Sequence, residues 1–159
     1  MPIFNLQFAG ATKTPDGKNV PIPPHIALFQ GGPLVPVMVC LEVNMAKPLL
    51  SQGKSIVSQG GMALIDTGAN VSSIDEETAK QMGLPIVDQG KMSSASHEMH
   101  PCNFYPIQIT LGGRLTFQVP RAMGANLKSK NLIALIGRDI LQRCTLIYNG
   151  GTGTITLAI

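Results

Sequence analysis

Residues Ala63-Leu64-Ile65-Asp66-Thr67-Gly68-Ala69-Asn70 run an apolar segment into one acid, one hydroxyl and a glycine. Ala63-Leu64-Ile65 reads as a buried strand, because short continuous apolar runs bounded by turn residues usually are. A carboxylate at the end of such a strand is costly unless it is hydrogen-bonded or paired. Gly68 lets the backbone turn tightly and approach a neighbour closely. An Asp-Thr-Gly triplet alone is also what an ordinary strand-ending turn looks like, so context decides between the two.

That context lies downstream. Ala134-Leu135-Ile136-Gly137-Arg138-Asp139-Ile140-Leu141 is a second apolar run that ends in glycine and opens a short helix. The pair resembles the retroviral-type aspartic proteases, the retropepsins. In that family an apolar-apolar-Asp-Thr-Gly-Ala loop is followed, most of a domain later, by an apolar-apolar-Gly-Arg-Asp/Asn-apolar-Leu motif. Cys144-Thr145-Leu146 matches the family's run into its last strand, and the resemblance spans roughly residues 35 to 150. It implies a mostly β, single-lobe retropepsin-like barrel with one or two short helices, working as a homodimer.

Composition agrees with a folded domain. The chain has 159 residues, 44% of them hydrophobic and 13% charged, which fits one domain with its own core and not a disordered segment. A net charge of +3, scattered basic residues and few aromatics argue against nucleic-acid binding. No apolar run approaches the roughly 20 residues that span a bilayer, so no membrane partner is expected. No basic start leads into an apolar stretch, so no signal peptide is read. Cys40, Cys102 and Cys144 cannot all pair within one chain and form no Cys-x-x-Cys. Reduced thiols fit a cytoplasmic protein.

Residues 1 to 36 hold seven of the twelve prolines. Proline removes a donor and fixes φ, so residues 1–33 read as a Pro-rich N-terminal arm, with a short strand around Ile3, Leu6 and Phe8. Residues 34–159 read as the protease-like domain. Val35, Val37, Val39, Leu41 and Val43 alternate with more exposed types, giving a strand with its valine face inward. Residues 45–60 suggest a long hairpin connection. Ser73 to Pro85 reads as a short helix with Ser73 and Glu76 as a capping box and Gly83 and Pro85 as the stop. Ile107 to Val119 around Gly112-Gly113 predicts a hairpin, residues 121–131 a loop, and the tail a second hairpin around Asn149-Gly150-Gly151.

Hydrolysis of a peptide without a covalent intermediate needs one group to activate water and another to protonate the leaving amine. Two carboxylates in contact do both, because like charges so close keep one proton between them. Of the five aspartates, Asp16, Asp66, Asp75, Asp88 and Asp139, only Asp66 precedes Thr-Gly. A two-lobed enzyme would need a second such loop and roughly twice the length. The site is therefore expected at the axis of a symmetric homodimer, one Asp66 from each chain.

The resemblance implies the remaining roles. Asp66 is the acid/base, Thr67 bonds across the dimer axis, and Gly68 brings its backbone close to the substrate. Ala69 stands where pepsin-like enzymes have serine, which implies a dyad less stabilised as an anion and a less acidic optimum. Asn70 replaces an aspartate common in viral members, leaving Arg138 to find another carboxylate or backbone carbonyls. Gly137 packs beneath the active loop, and Arg138 supports the site structurally. Residues 88–101 occupy the place of the family's flap, without its glycine-rich tip. Met92, Ser93, Ser94, Ala95 and Ser96, with Ala69 and Asn70, are the expected contacts to an extended polypeptide substrate.

His97, His100 and Cys102 lie close in sequence but lack helical spacing and a fourth ligand, so neither a metal nor another cofactor is expected. Three readings remain at this point: a homodimeric aspartic endopeptidase, a catalytically silent retropepsin-fold module that dimerises or binds peptides, and an unrelated β domain with a chance Asp-Thr-Gly.

Overall fold

The computed structural model describes residues 2–94 and 97–159, with only the backbone of 92–94 and 97–99. The first third of the chain holds β1 (Ile3–Gln7), β2 (Gly10–Lys13), β3 (Asn19–Ile22), α1 (Pro24–Gly31), β4 (Leu34–Leu41) and α2 (Val43–Ser51). Next come β5 (Ser58–Ile65), β6 (Ser73–Asp75), α3 (Glu76–Gln81), β7 (Asp88–Ser94), β8 (His97–Leu111) and β9 (Leu115–Ala125). A 3-10 turn (Lys128–Lys130), β10 (Ala134–Ile136), α4 (Arg138–Leu141), β11 (Thr145–Asn149) and β12 (Thr154–Ala158) complete it.

Alternation builds the barrel. Val35, Val37 and Val39 of β4 point inward, as do Ile107, Ile109 and Leu111 of β8 and Leu115, Phe117 and Val119 of β9. The strands run in the order β4-β5-β10-β6-β9-β8, and β8 pairs back onto β4, so six strands close on themselves. Closure removes the open edges that a sheet of this size would expose. Two of the pairings are parallel: β5 with β10, and β6 with β9. β8 runs on past the barrel, where its first half pairs with β7 to form a projecting hairpin. The change of partner coincides with a register shift at Pro106, whose missing N–H suits a bulge.

A second, three-stranded sheet, β1-β12-β11, covers one side of the barrel. Phe4, Ile155 and Leu157 on its inner face join the barrel core, leaving β1 and β11 as its two edges. Gly153 is obligatory here: its φ is +64°, and a Cβ would lie 2.1 Å from the Pro24 carbonyl carbon.

Several expectations need correction. Among the described residues there are four short α-helices and not one or two. The proline-rich segment holds the eight-residue α1, because Pro24 occupies the first helical position, where its fixed φ suits the helix and its missing N–H has no intrahelical role. The long connection between the antiparallel strands β4 and β5 is there, but it carries α2 over residues 43–51, and the strand stops at Leu41 instead of running on to Val43. The cap of α2 is the buried Glu42, whose carboxylate accepts from the N–H groups of Asn44 and Met45 at 2.9 and 3.3 Å. A glutamate cap followed by Pro48 is not a sequence-level helix start. The stretch 121–131 is strand as far as Ala125, because Met123 to Ala125 pair with distant β6.

The cap of α3 is Asp75, not Ser73, which sits inside β6. Asp75 is 2% exposed and accepts four hydrogen bonds. Two come from the N–H and hydroxyl of Thr78, both at 3.0 Å, and two from the N–H groups of Leu127 and Lys128, at 3.0 and 2.9 Å. One carboxylate thus holds the start of α3 to the turn after β9. Burial alone would raise its pKa, but the four donors outweigh that and hold it below the ordinary 3.8.

A carboxylate with a lowered folded-state pKa stabilises the fold above its ordinary pKa, and that contribution disappears as pH falls through the lowered value. The urea midpoint is therefore expected to be flat above about pH 4 and to fall below it. Asp75→Asn should lose about 2–4 kcal/mol at neutral pH and show a shallower acid slope. An unchanged slope would show that other carboxylates carry the acid sensitivity.

Candidate active site

The two sequence motifs meet because β5 and β10 run side by side. Ala63, Leu64 and Ile65 pair in register with Ala134, Leu135 and Ile136. One residue on, the Asp66 N–H donates to the Ile136 carbonyl at 2.9 Å. The chain then turns: the Gly68 N–H donates to Asp66 Oδ1 at 2.9 Å, and the Ala69 N–H to the Asp66 carbonyl at 3.2 Å. The Ala69 carbonyl accepts from the Arg138 N–H at 2.9 Å. Backbone bonds from the second motif therefore bracket the Asp66 loop on both sides, and Asp66 stands half-buried at the strand end.

Beneath the loop the packing is tighter still. A Cβ on Gly137 would lie 2.7 Å from the carbonyl carbon of Val71 and 2.9 Å from the Ser72 nitrogen. These are backbone atoms with no rotamer to change, so only glycine fits there. Ser72 is fully buried: its hydroxyl donates to Asp139 Oδ1 at 2.7 Å and accepts from the Gly137 N–H at 3.0 Å. The Ser72 N–H donates to the same oxygen at 3.0 Å. Asp139 also accepts from its neighbour Ile140 at the start of α4. Ser72 and Asp139 thus lock the loop to α4, a function the sequence reading did not assign to either. Asp139 was visible as part of the Gly-Arg-Asp motif, but nothing in the sequence around Ser72 pairs it with a residue 67 positions away.

The remaining expected residues fall as follows. Thr67 is exposed, and its hydroxyl makes no hydrogen bond among the described residues. Asn70 and Arg138 are also exposed. The Arg138 guanidinium has no ion pair among the described residues. Its tie to the site is its backbone. Met92, Ser93 and Ser94 lie on β7 in the projecting hairpin, while Ala95 and Ser96 lie outside the described residues.

A groove of about 360 Å³ opens between the loop and this hairpin. Ala69, Asn70 and Val71 of the loop line it together with Phe104, Met123 and Leu135 of the barrel strands. Asp75 and Asp139 spend their carboxylates on the bonds described above, whereas Asp66 stands two residues before Gly68, the first loop residue to line this groove.

Residues 55–143 match the family model described as "gag-polyprotein putative aspartyl protease". In fold the chain is similar to the crystal structure of a retropepsin-like aspartic protease from Rickettsia conorii, at 16% identity and a TM-score of 0.47, over 98% of this chain and 91% of that one. It is similar also to the retroviral protease-like domain of Ddi1 from Leishmania major, at 14% identity and a TM-score of 0.40, over 73% of this chain and 81% of that one. No curated protein matches it.

Ser72→Ala strands the buried Gly137 N–H and is expected to cost about 1–3 kcal/mol in urea unfolding. Gly137→Ala should cost about 3 kcal/mol or more, since backbone has to move. An unchanged midpoint in either variant would refute this account of the brace.

Proposed function

The chain belongs to the gag-polyprotein aspartyl protease family, which is retropepsin-like, and we propose that it is an aspartic endopeptidase acting as a homodimer. The observation that carries this reading is the braced Asp66-Thr67-Gly68 loop. It holds a carboxylate in a fixed place beside the groove that Gly68, Ala69 and Asn70 line, and the chain supplies only one such loop. Two chains related by a two-fold axis would bring two Asp66 side chains together.

The paired carboxylates would share one proton. The ionised member takes a proton from water, whose oxygen attacks the scissile carbonyl carbon. The protonated member donates to the oxygen of that carbonyl, and a proton then passes to the leaving nitrogen as the C–N bond breaks. The exposed Thr67 hydroxyl is free to bond across the axis. The β7–β8 hairpin would act as a flap over an extended peptide. The edges of the β1-β12-β11 sheet offer unpaired backbone groups to a second copy. Cys40, Cys102 and Cys144 stand as free, half-buried thiols, which suits a reducing cytoplasm.

The decisive comparison is casein cleavage from about pH 3 to about pH 8 by the wild type and Asp66→Asn, with solution mass measured alongside. Wild type is expected to be dimeric and active, and the variant dimeric but slower by about 10²–10⁴-fold. With alanine at position 69, the optimum should lie above about pH 4, and a peak well below that would refute the role given to Ala69. A dimer inactive at every pH would favour the peptide-binding module, a reading that the exposed Asn70 side chain leaves available.

A further inference from the structure

The groove beside the Asp66 loop has an apolar floor and a charged rim. Val71, Phe104, Met123 and Leu135 line the floor, and Lys91 of β7 and Arg121 of β9 stand at the rim. Arg121 is held in a defined pose. Its Nε donates to Asp88 Oδ2 at 2.7 Å, and its guanidinium carbon lies 3.7 Å from the centre of the Phe104 ring. Stacking on the ring fixes the plane of the fork, and the single bond through Nε leaves both Nη groups without a partner among the described residues.

Asp88 is already engaged, by Arg121 on one oxygen and by the Gln89 N–H on the other at 2.7 Å. The Arg121 bond and then the Gln89 bond hold its pKa below the ordinary value, so it stays ionised and neutralises one of the two cations. Lys91 is exposed and has no ion-pair partner among the described residues. Among the described residues, two cations at the rim face one carboxylate, an excess of one positive charge. A chain that is only 13% charged places both cations on this groove.

We propose that Lys91 and Arg121 make this groove a specificity subsite for an acidic substrate side chain, glutamate best. The inference rests on the reading of the groove as a peptide cleft. Glutamate fits because its two methylenes can lie against the apolar lining at Val71 and Met123 while its carboxylate reaches the rim. Aspartate is too short to use both, and glutamine supplies no charge. Lysine is repelled. In a two-fold dimer the subsite occurs twice, once on each side of the scissile bond.

The test uses the full chain and peptides that carry Glu, Gln or Lys at each position in turn. Each is made both as a cleavable substrate, read as kcat/KM, and as a non-cleavable hydroxyethylene analogue, read as Kd by calorimetry. At one position on each side, Glu should exceed Gln by about threefold to tenfold in both readouts, with Lys last. The preference should shrink as salt is raised through a screening length shorter than the rim. Lys91→Glu should invert the order to favour Lys, and Lys91→Gln should flatten it.

A ranking that is the same at all positions, or one unchanged in both Lys91 variants, overturns the subsite while leaving hydrolysis intact. Glu-selective binding without any cleavage keeps the subsite and overturns the protease reading. Neither binding nor cleavage overturns both.

Discussion

The structure depends on how closely two stretches of main chain approach beneath Asp66. Gly137 lies so near the backbone of Val71 and Ser72 that a single methyl group would meet three atoms within 2.9 Å. That approach lets the Ser72 hydroxyl bond Gly137 and Asp139 at once, and lets the Asp66 and Arg138 N–H groups reach carbonyls across the gap. The loop carrying the acid is therefore positioned by main-chain bonds and one buried hydroxyl, not by its own exposed side chains. A carboxylate on a loop held in this way keeps little positional freedom.

The barrel exists to make this approach possible. β5 and β10 are parallel neighbours whose shared end delivers both motifs to one place, and parallel pairing requires the intervening 68 residues to return along another route. That route supplies α3, the projecting hairpin and the long β8–β9 ladder that closes the barrel on β4. Asp75 secures its start by tying α3 to the turn after β9. Glu76, one residue on, accepts from Asn103 and Tyr105 of β8, and burial together with Glu76 pushes the Tyr105 phenol up to about 12. Asp75, Glu76 and Asp139 are thus structural, and they hold the frame in which Asp66 is presented.

Elements with a local signature were legible from the sequence. The valine face of β4, the Gly112-Gly113 hairpin and the tail hairpin all follow from alternation and turn residues, which act between near neighbours. The extra helices and the far half of β9 were not legible. α2 begins at a glutamate whose capping value comes from being buried against the barrel, and Met123 to Ala125 are strand because β6 is there to pair with. Ser73 was misread as a cap for the same reason. Its sequence position suits one, but the β10 and β9 neighbours on either side claim its backbone for a strand.

By itself the sequence determined that the chain is mostly β and carries two motifs that resemble those of a retropepsin-like protease, the first of them at Asp66. It also determined that each chain holds only one such acid. Those conclusions needed only residue identities and short-range order. Tertiary structure decided that Ser72 and Asp139 brace the loop, that Asp75 caps α3, and that Lys91 and Arg121 share the rim of one groove. Each of these joins residues tens of positions apart, and distances across a closed barrel are set by register and strand order, which no local pattern encodes.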